Sequence, residues 1–500
     1  MTDSGQGSSG LSRGELREAA LAGVRWTTLA RVGAELLSLV ASIVLARLIS
    51  PAEFGRAAIA LTVIAVAGVL SSQGVGAALV QMRDAERVDV QSATALAMAS
   101  GVLFALMAWL IGRFAVPPVL GDRVGYLVAL GAPAFLLAAP GTVPQALLQR
   151  ELRFQRLGAV HVAALIGGAV ASVVLAATIA PNAEALVAGG LVVTALATIL
   201  SITATPMVAP RWNRGAGGRI ASFGVNSGLA SLFYTLFRRV DYAILAGRLN
   251  AADTGFYWRA YQLGVEYQAK VTTVMLRVSF PVFSRTKDME DMRRVRARVV
   301  RLHASVVIPP LAAFVALAPE LVPLLYGSDW KPSVGPAQIL AVVGMGTAIV
   351  TGIGPLLMAA GRPRALMLYN LVTLAVYALA VYLLAPHGLT TVCVGVLAVQ
   401  AVNFAATHWI LLDRMLGIPI RSLWGEIAPG TCAGLALLAV TYPLVDALAT
   451  AGVGPALVVL ITAPVAALIA VVVLWRGFPA AWDDALLIVR TVRPGRRAEA

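Results

Sequence analysis

Long apolar runs alternate with short polar breaks along the whole chain. A helix needs about 20 apolar residues to cross the hydrocarbon core of a bilayer. On that criterion the chain predicts fourteen spanning helices. The first six cover residues 21–49, 57–80, 91–114, 124–148, 157–180 and 183–205. A polar break at 210–219 (PRWNRGAGGR) follows, and then eight more at 220–246, 255–280, 299–325, 334–360, 365–385, 389–412, 423–445 and 453–475. The first twenty residues are polar and small with no apolar run, so no cleavable signal peptide is expected. Beyond Arg476 the chain is mixed, with Trp482, Leu486 and Leu487 suited to a membrane interface.

Composition supports the pattern. Of 500 residues, 59% are hydrophobic and 13% charged, and the mean hydropathy is +0.82. An ordinary soluble domain is roughly 25% charged, so too little polar surface exists here to cover a soluble globule. Soluble enzymes, disordered chains and fibres are excluded, leaving an all-α polytopic membrane protein. The formal charge is +14. Because the basic residues sit in short loops and not on one basic face, they indicate membrane orientation and not nucleic acid. With the N-terminus inside, 27 Lys and Arg fall in cytoplasmic segments against seven outside. Both termini are therefore expected in the cytoplasm.

An internal repeat is legible. LARLISPAEFG (45–55) and LAGRLNAADTG (245–255) align without gaps at an offset of 200, matching Leu, Ala, Ala and Gly and pairing Glu53 with Asp253. Six spans separate them, so the halves point the same way and are related by an axis along the membrane normal. The expected organisation is a cytoplasmic segment 1–20, a six-helix lobe 21–206, a linker 207–219 and a second six-helix lobe 220–412. Two additional helices (413–475) and a basic cytoplasmic tail (476–500) follow. Two such lobes would enclose a central cavity.

Charges inside the spans supply the candidate chemistry. On an ideal helix Arg259, Glu266, Lys270 and Arg277 fall within about 40° of one another, one stripe down the eighth span. Ser227, Ser231, Tyr234, Arg238 and Asp241 form a second stripe in the seventh, with Arg239 beside it. Thr28, Arg31, Glu35, Ser38 and Ser42 form a third in the first. A charge at a span centre costs about 2.5–3.5 kcal/mol and is kept where it meets water or a partner. One reading is structural ion pairing, as of Arg31 with Glu35 or Arg238 with Asp241. The other is a net positive chamber suited to an anionic headgroup, since Arg pairs well with phosphate. The substrate-binding candidates are Arg31, Glu35, Arg238, Arg239, Asp241, Arg259, Glu266, Lys270 and Arg277. Pro133, Pro140 and Pro144, then Pro309 and Pro310, then Gly352, Gly354 and Pro355 are expected to bend the fourth, ninth and tenth spans.

Enzyme signatures are missing. None of the three lysines, Lys270, Lys287 and Lys331, follows glycine, so there is no P-loop, and no HExxH or GxSxG element occurs. The four histidines are scattered, and Cys393 and Cys432 lie in apolar runs. No cofactor or metal is expected. Energy would come from an ion gradient, the membrane potential or removal of product.

Four blocks carry a family resemblance. ARLISPAEFG with SSQGVGAALVQ (71–81) is similar to the start of bacterial polysaccharide flippases of the Wzx type. QRELRFQRL (149–157) resembles the loop after their fourth span, RRVDYAILAGRL to TGFYWRAYQL (238–263) their seventh-to-eighth-span signature, and SDW (328–330) the loop after their ninth. The family lies in the multidrug/oligosaccharidyl-lipid/polysaccharide (MOP) exporter superfamily. The resemblance implies two six-helix lobes around a V-shaped cavity. It also implies flipping of a polyprenyl-diphosphate-linked oligosaccharide across the cytoplasmic membrane, feeding capsule, exopolysaccharide or lipopolysaccharide O-antigen assembly. Arg31, Arg238, Arg239 and Lys270 match by position the basic residues that engage the diphosphate or acidic sugars. Implied partners are the lipid-linked oligosaccharide, membrane lipids and a polysaccharide polymerase or export complex. A drug or small-solute cation antiporter and a peptidoglycan-precursor flippase are the alternatives. A membrane polymerase or glycosyltransferase fits less well, because the expected outer loops are short.

Overall fold

The computed structural model describes residues 33–69, 71, 74–82, 84–273, 275, 289–350 and 352–492. Among these residues no strand occurs. In chain order the helices are α1 (33–48), α2 (Pro51–Gly68), α3 (Gly74–Gln81), α4 (Arg87–Leu110), α5 (Pro117–Leu120), α6 (Asp122–Gly131) and α7 (Pro133–Arg150). Then come α8 (Phe154–Thr178), α9 (Ala183–Ala204), α10 (Arg214–Ala246), α11 (Ala251–Tyr261) and α12 (267–273). The remainder are α13 (Met289–Tyr326), α14 (Val334–Val350), α15 (Ile353–Ala359), α16 (Pro363–Leu384), α17 (Leu389–Ala406), α18 (Ser422–Thr450), α19 (Pro455–Val472) and α20 (Pro479–Val492).

Eleven of the fourteen expected spans coincide with helices long and apolar enough to cross a membrane. The chain is a multi-pass membrane protein. The first expected span is described only from residue 33. The seventh is α10, 33 residues long, whose apolar run Arg238, Arg239 and Asp241 interrupt. The eighth is divided by a π-helical turn, Gln262–Glu266, between α11 and α12.

The prolines act in two ways. α13 runs unbroken through Pro309, Pro310, Pro319 and Pro323, and α7 through Pro140 and Pro144. By contrast, the fourth span breaks before Pro133, which takes the first position of α7, where its missing N–H costs nothing. The tenth ends at Val350, and Gly352, left-handed at φ 88°, turns the chain into α15.

The described chain forms two compact units. One holds the chain up to Leu48 with Ala60–Leu236, the other Ile49–Ile59 with the chain from Phe237. In the first unit α8 and α9 approach through small residues: a Cβ on Gly189 would collide with Ser172 Oγ, and one on Gly168 would stand 2.8 Å from the Gly189 carbonyl oxygen. The polar segment before α10 is pinned to α4, since Arg219 pairs with buried Asp89 at 2.8 Å and the Asn213 amide donates to Ser92 Oγ at 3.3 Å. Asn213 also caps α10, its Oδ1 accepting from the Gly215 and Ala216 amides.

The second unit has its core around Tyr242, Leu245, Tyr257, Leu340, Val381, Val392 and Cys393. The two segments of the expected repeat meet in this unit reciprocally. A Cβ on Gly55 would collide with the Ala251 carbonyl oxygen, and one on Gly255 with that of Pro51. Each residue thus faces the repeat equivalent of its own partner, as expected at a local two-fold axis. The α16 flank lies outside the core, exposing Met367, Leu368, Leu371, Val372, Leu379 and Leu383 as a lipid-facing surface would.

Candidate functional site

Apart from Glu35 on α1, the described candidate residues lie in the second unit at the end of α10, on α11, and in and beyond the π turn. Asp241 is 1% exposed. Its Oδ2 accepts hydrogen bonds from the hydroxyls of Tyr257 (2.8 Å) and Tyr377 (3.1 Å), and its Oδ1 accepts from the Tyr242 amide at 2.9 Å. The two hydroxyls lie 3.4 Å apart. Helices α10, α11 and α16 therefore converge on one carboxyl group. The Tyr242 ring beside it packs on two more, its centroid 5.5 Å from that of Tyr257 and 5.7 Å from that of Tyr261. Among the described residues no basic side chain pairs with Asp241.

Arg239, two residues earlier, is half-buried, and among the described residues it forms no ion pair or side-chain hydrogen bond. A partly desolvated guanidinium without a carboxylate is a natural seat for an anion. Lys270 is exposed on α12 and Glu266 half-buried at the end of the π turn. Glu266 makes no ion pair within the described structure. Glu35 is exposed on α1. Arg238 is placed on α10 by its backbone alone. Arg31 and Arg277 lie outside the described residues.

Arg259 departs from the expected stripe. It is 1% exposed, and its guanidinium lies 4.3 Å from the ring of Tyr326, 5.0 Å from Trp330, 5.1 Å from Phe54 and 5.9 Å from Trp258. Its Nη1 donates to Gln262 Oε1 at 3.2 Å. The cause is the π turn. Its i→i+5 bonding admits one extra residue and rotates everything beyond it by about 100°. Arg259 and Lys270, aligned on an ideal helix, therefore face different surroundings. Three sequence blocks converge on this box: Phe54 from ARLISPAEFG, Trp258 and Arg259 from TGFYWRAYQL, and Trp330 from SDW. Cation–π contacts of a desolvated arginine hold them together. Of the other blocks, SSQGVGAALVQ supplies Gly74, where a Cβ would collide with the Gly224 carbonyl oxygen of α10.

Sequence reasoning missed Tyr257 and Tyr377, since a tyrosine in an apolar run gives no hint of its hydroxyl's partner. It also missed a buried ion pair between Arg296 and Glu426. The available signal was Glu426 itself, an acid within the apolar stretch of α18. Among the described residues no cluster of three or more His, Cys, Asp or Glu side chains is arranged to hold a metal.

Charged groups buried among long apolar helices are what membrane transport proteins carry. The solved structure of lipid II flippase MurJ in an inward closed conformation aligns with a TM-score of 0.66 at 12% identity, covering 88% of this chain and 98% of that one. An inward-facing multidrug resistance MATE transporter of the MOP superfamily aligns at 0.59 with 13% identity, covering 76% and 94%. At these identities the likeness is one of fold. In sequence, the family model described as polysaccharide biosynthesis protein matches residues 44–335. The chain belongs to that family. It is similar to the lipopolysaccharide biosynthesis protein WzxC of Escherichia coli K12, 27% identical over 82% of this chain and 85% of that one. It also resembles the teichuronic acid biosynthesis protein TuaB of Bacillus subtilis (24%, covering 78% and 82%). A further relative is the succinoglycan biosynthesis transport protein ExoT of Rhizobium meliloti (25%, covering 84% and 86%).

Proposed function

We propose that this protein is a flippase that moves a polyprenyl-diphosphate-linked oligosaccharide across the cytoplasmic membrane by alternating access, with both termini in the cytoplasm. It moves its substrate without making or breaking a covalent bond in it. The product serves capsule, exopolysaccharide or O-antigen assembly, in company with a polymerase or export complex. The observation that carries the reading is the half-buried Arg239, without an ionic partner among the described residues, on a helix of a protein whose relatives are named for polysaccharide biosynthesis and transport. Arg239, with Arg238 and Lys270, engages the diphosphate. Glu35, Glu266, Arg31 and Arg277 remain proposed cavity residues, whereas Arg259 sits in its aromatic box.

Asp241 favours a second element in this reading. A carboxyl group buried without a basic partner suits a transported cation or proton better than an anionic headgroup. We assign it to coupling. The same observation is what a cation antiporter would require, so the two functions must be separated by experiment.

The test is a deletion strain, its polyprenyl-linked saccharides identified by mass spectrometry and assigned to a leaflet with an impermeant glycan-modifying reagent. Accumulation of a protected, inner-leaflet intermediate with loss of surface polymer is expected. An unchanged lipid pool with altered drug tolerance would transfer the assignment to the antiporter. In the complemented strain, Arg239→Glu and Lys270→Glu should each lower export about tenfold or more, the scale of one lost charge-assisted contact. Unaltered export in both variants would remove these residues from the site.

A further inference from the structure

Helix α18 lies alongside α13 at close range. A Cβ on Gly430 would collide with the Ala304 carbonyl oxygen, and one on Gly434 would stand 2.9 Å from Ile308 Cγ2. The contacts advance in the same sense on both helices, so they run parallel. One turn before Gly430, Glu426 reaches α13, where Arg296 Nη1 donates to its Oε1 at 2.8 Å. Arg296 is 2% exposed and Glu426 6%.

This buried pair is incomplete. Arg296 Nε–H and Glu426 Oε2 are both enclosed and, among the described residues, have no hydrogen-bond partner. A third such atom belongs to the adjoining element. His408, 1% exposed, stands in the π-helical segment Thr407–Arg414 that follows α17, and its Nε2 is likewise enclosed and unpartnered. Its Nδ1 lies 2.9 Å from the Phe404 carbonyl oxygen. A carbonyl only accepts, so Nδ1 carries the hydrogen and Nε2 presents a bare lone pair. The same π segment packs on α13: Met292 joins Leu411, Leu412 and Leu416 in one apolar cluster. Arg293 donates to the Leu416 and Gly417 carbonyl oxygens at 3.2 and 2.7 Å. Along the same seam, Arg296 is one turn beyond Met292 on α13 and His408 one turn before Leu412 on the π segment.

Arg293 Nε is enclosed and unpartnered as well, but its guanidinium is drawn a turn away to the Leu416 and Gly417 carbonyls. The three atoms of Arg296, Glu426 and His408 are one donor and two acceptors, which defines the guest. A cation would be repelled by the guanidinium and would find an N–H aimed at it. An anion would meet the carboxylate oxygen and an imidazole lone pair. Water has the matching set: two O–H groups for Oε2 and Nε2, and a lone pair for Nε–H. Buried waters typically make about three hydrogen bonds to otherwise unsatisfied groups, and leaving such groups dry is costly. We propose that Arg296, Glu426 and His408 hold one buried water molecule. It completes the ion pair and fastens α18, the first helix beyond the twelve-span repeat, to α13 and to the end of α17. The proposal is independent of what the protein transports.

The direct experiment is a structure of the full chain in lipid nanodiscs at a resolution that shows ordered water. A peak within about 2.7–3.2 Å of Arg296 Nε, Glu426 Oε2 and His408 Nε2 is expected. A dry site, or Nε2 bonded directly to the guanidinium, overturns the proposal. Thermal unfolding gives a second readout. His408→Phe and Glu426→Gln should each lower the melting temperature by roughly 2–4 °C. Their combination should cost little more than the worse single change, because both remove anchors of one shared molecule. Full additivity would overturn the shared water. Arg296→Met with Glu426→Met is the folding control. It should be less harmful than Arg296→Met alone, since pair and water leave together.

Discussion

At the scale of single residues, charges within apolar helices differ in what surrounds them. Arg259 and Arg239 are both arginines within or beside expected spans. One is wrapped by four aromatic rings, and the other has no ionic partner among the described residues. Asp241 is the third kind, a carboxyl group held, among the described residues, by hydroxyl and amide donors alone. Its neighbours and its charge can be separated by mutation. Asp241→Asn keeps the shape and removes an uncompensated buried acid, so the purified variant should unfold near the wild-type temperature while export falls. Tyr257→Phe removes one donor and should lower stability by ~1 kcal/mol in the same unfolding assay. An Asp241→Asn protein that exports normally would end the coupling assignment.

At the scale of elements, helix irregularities decide which residues meet. The π turn Gln262–Glu266 divides the eighth span into two faces, and Gly352 ends the tenth where a bend was expected. The seventh span is legible as a helix from its 3.6-residue stripes, but its charges are not legible as paired or unpaired, because partners arrive from α11 and α16. The repeat is a matter of elements too. Gly55 and Gly255 occupy equivalent positions and each admits the other segment's backbone where a side chain would collide. Gly55→Val should therefore fail to accumulate as folded protein, and Gly255→Val likewise. Gly335, where an added Cβ would meet nothing within 4 Å, should accept alanine with little loss. Yield of monodisperse protein on gel filtration checks all three.

At the scale of the whole molecule, the membrane dictates the arrangement. Backbone groups must be satisfied within the segment when no water is available, which leaves helices as the spanning element in a chain of this composition. The skew of Lys and Arg sets the expected orientation. In a background with Cys393 and Cys432 replaced by alanine, Asn213→Cys should be modified by an impermeant thiol reagent only after the cells are opened. Lys331→Cys should be modified in intact cells. The reverse result would invert the topology.

The sequence by itself determined the class, eleven of the long apolar helices, the repeat-related glycines and the family. These rest on composition, on runs of about 20 residues and on local motifs, all of which act along the chain. It also made the charged residues of the spans visible, since a charge in an apolar run is conspicuous wherever it folds. Only the tertiary structure decided what each charge meets. Arg259 gained its rings from residues 54, 326 and 330, Asp241 its hydroxyls from 257 and 377, and Arg296 its carboxylate from 426. Those partners come from other helices, and an added residue in one π turn is enough to exchange them. Helical periodicity fixes which residues share a face. Packing between helices fixes what that face meets.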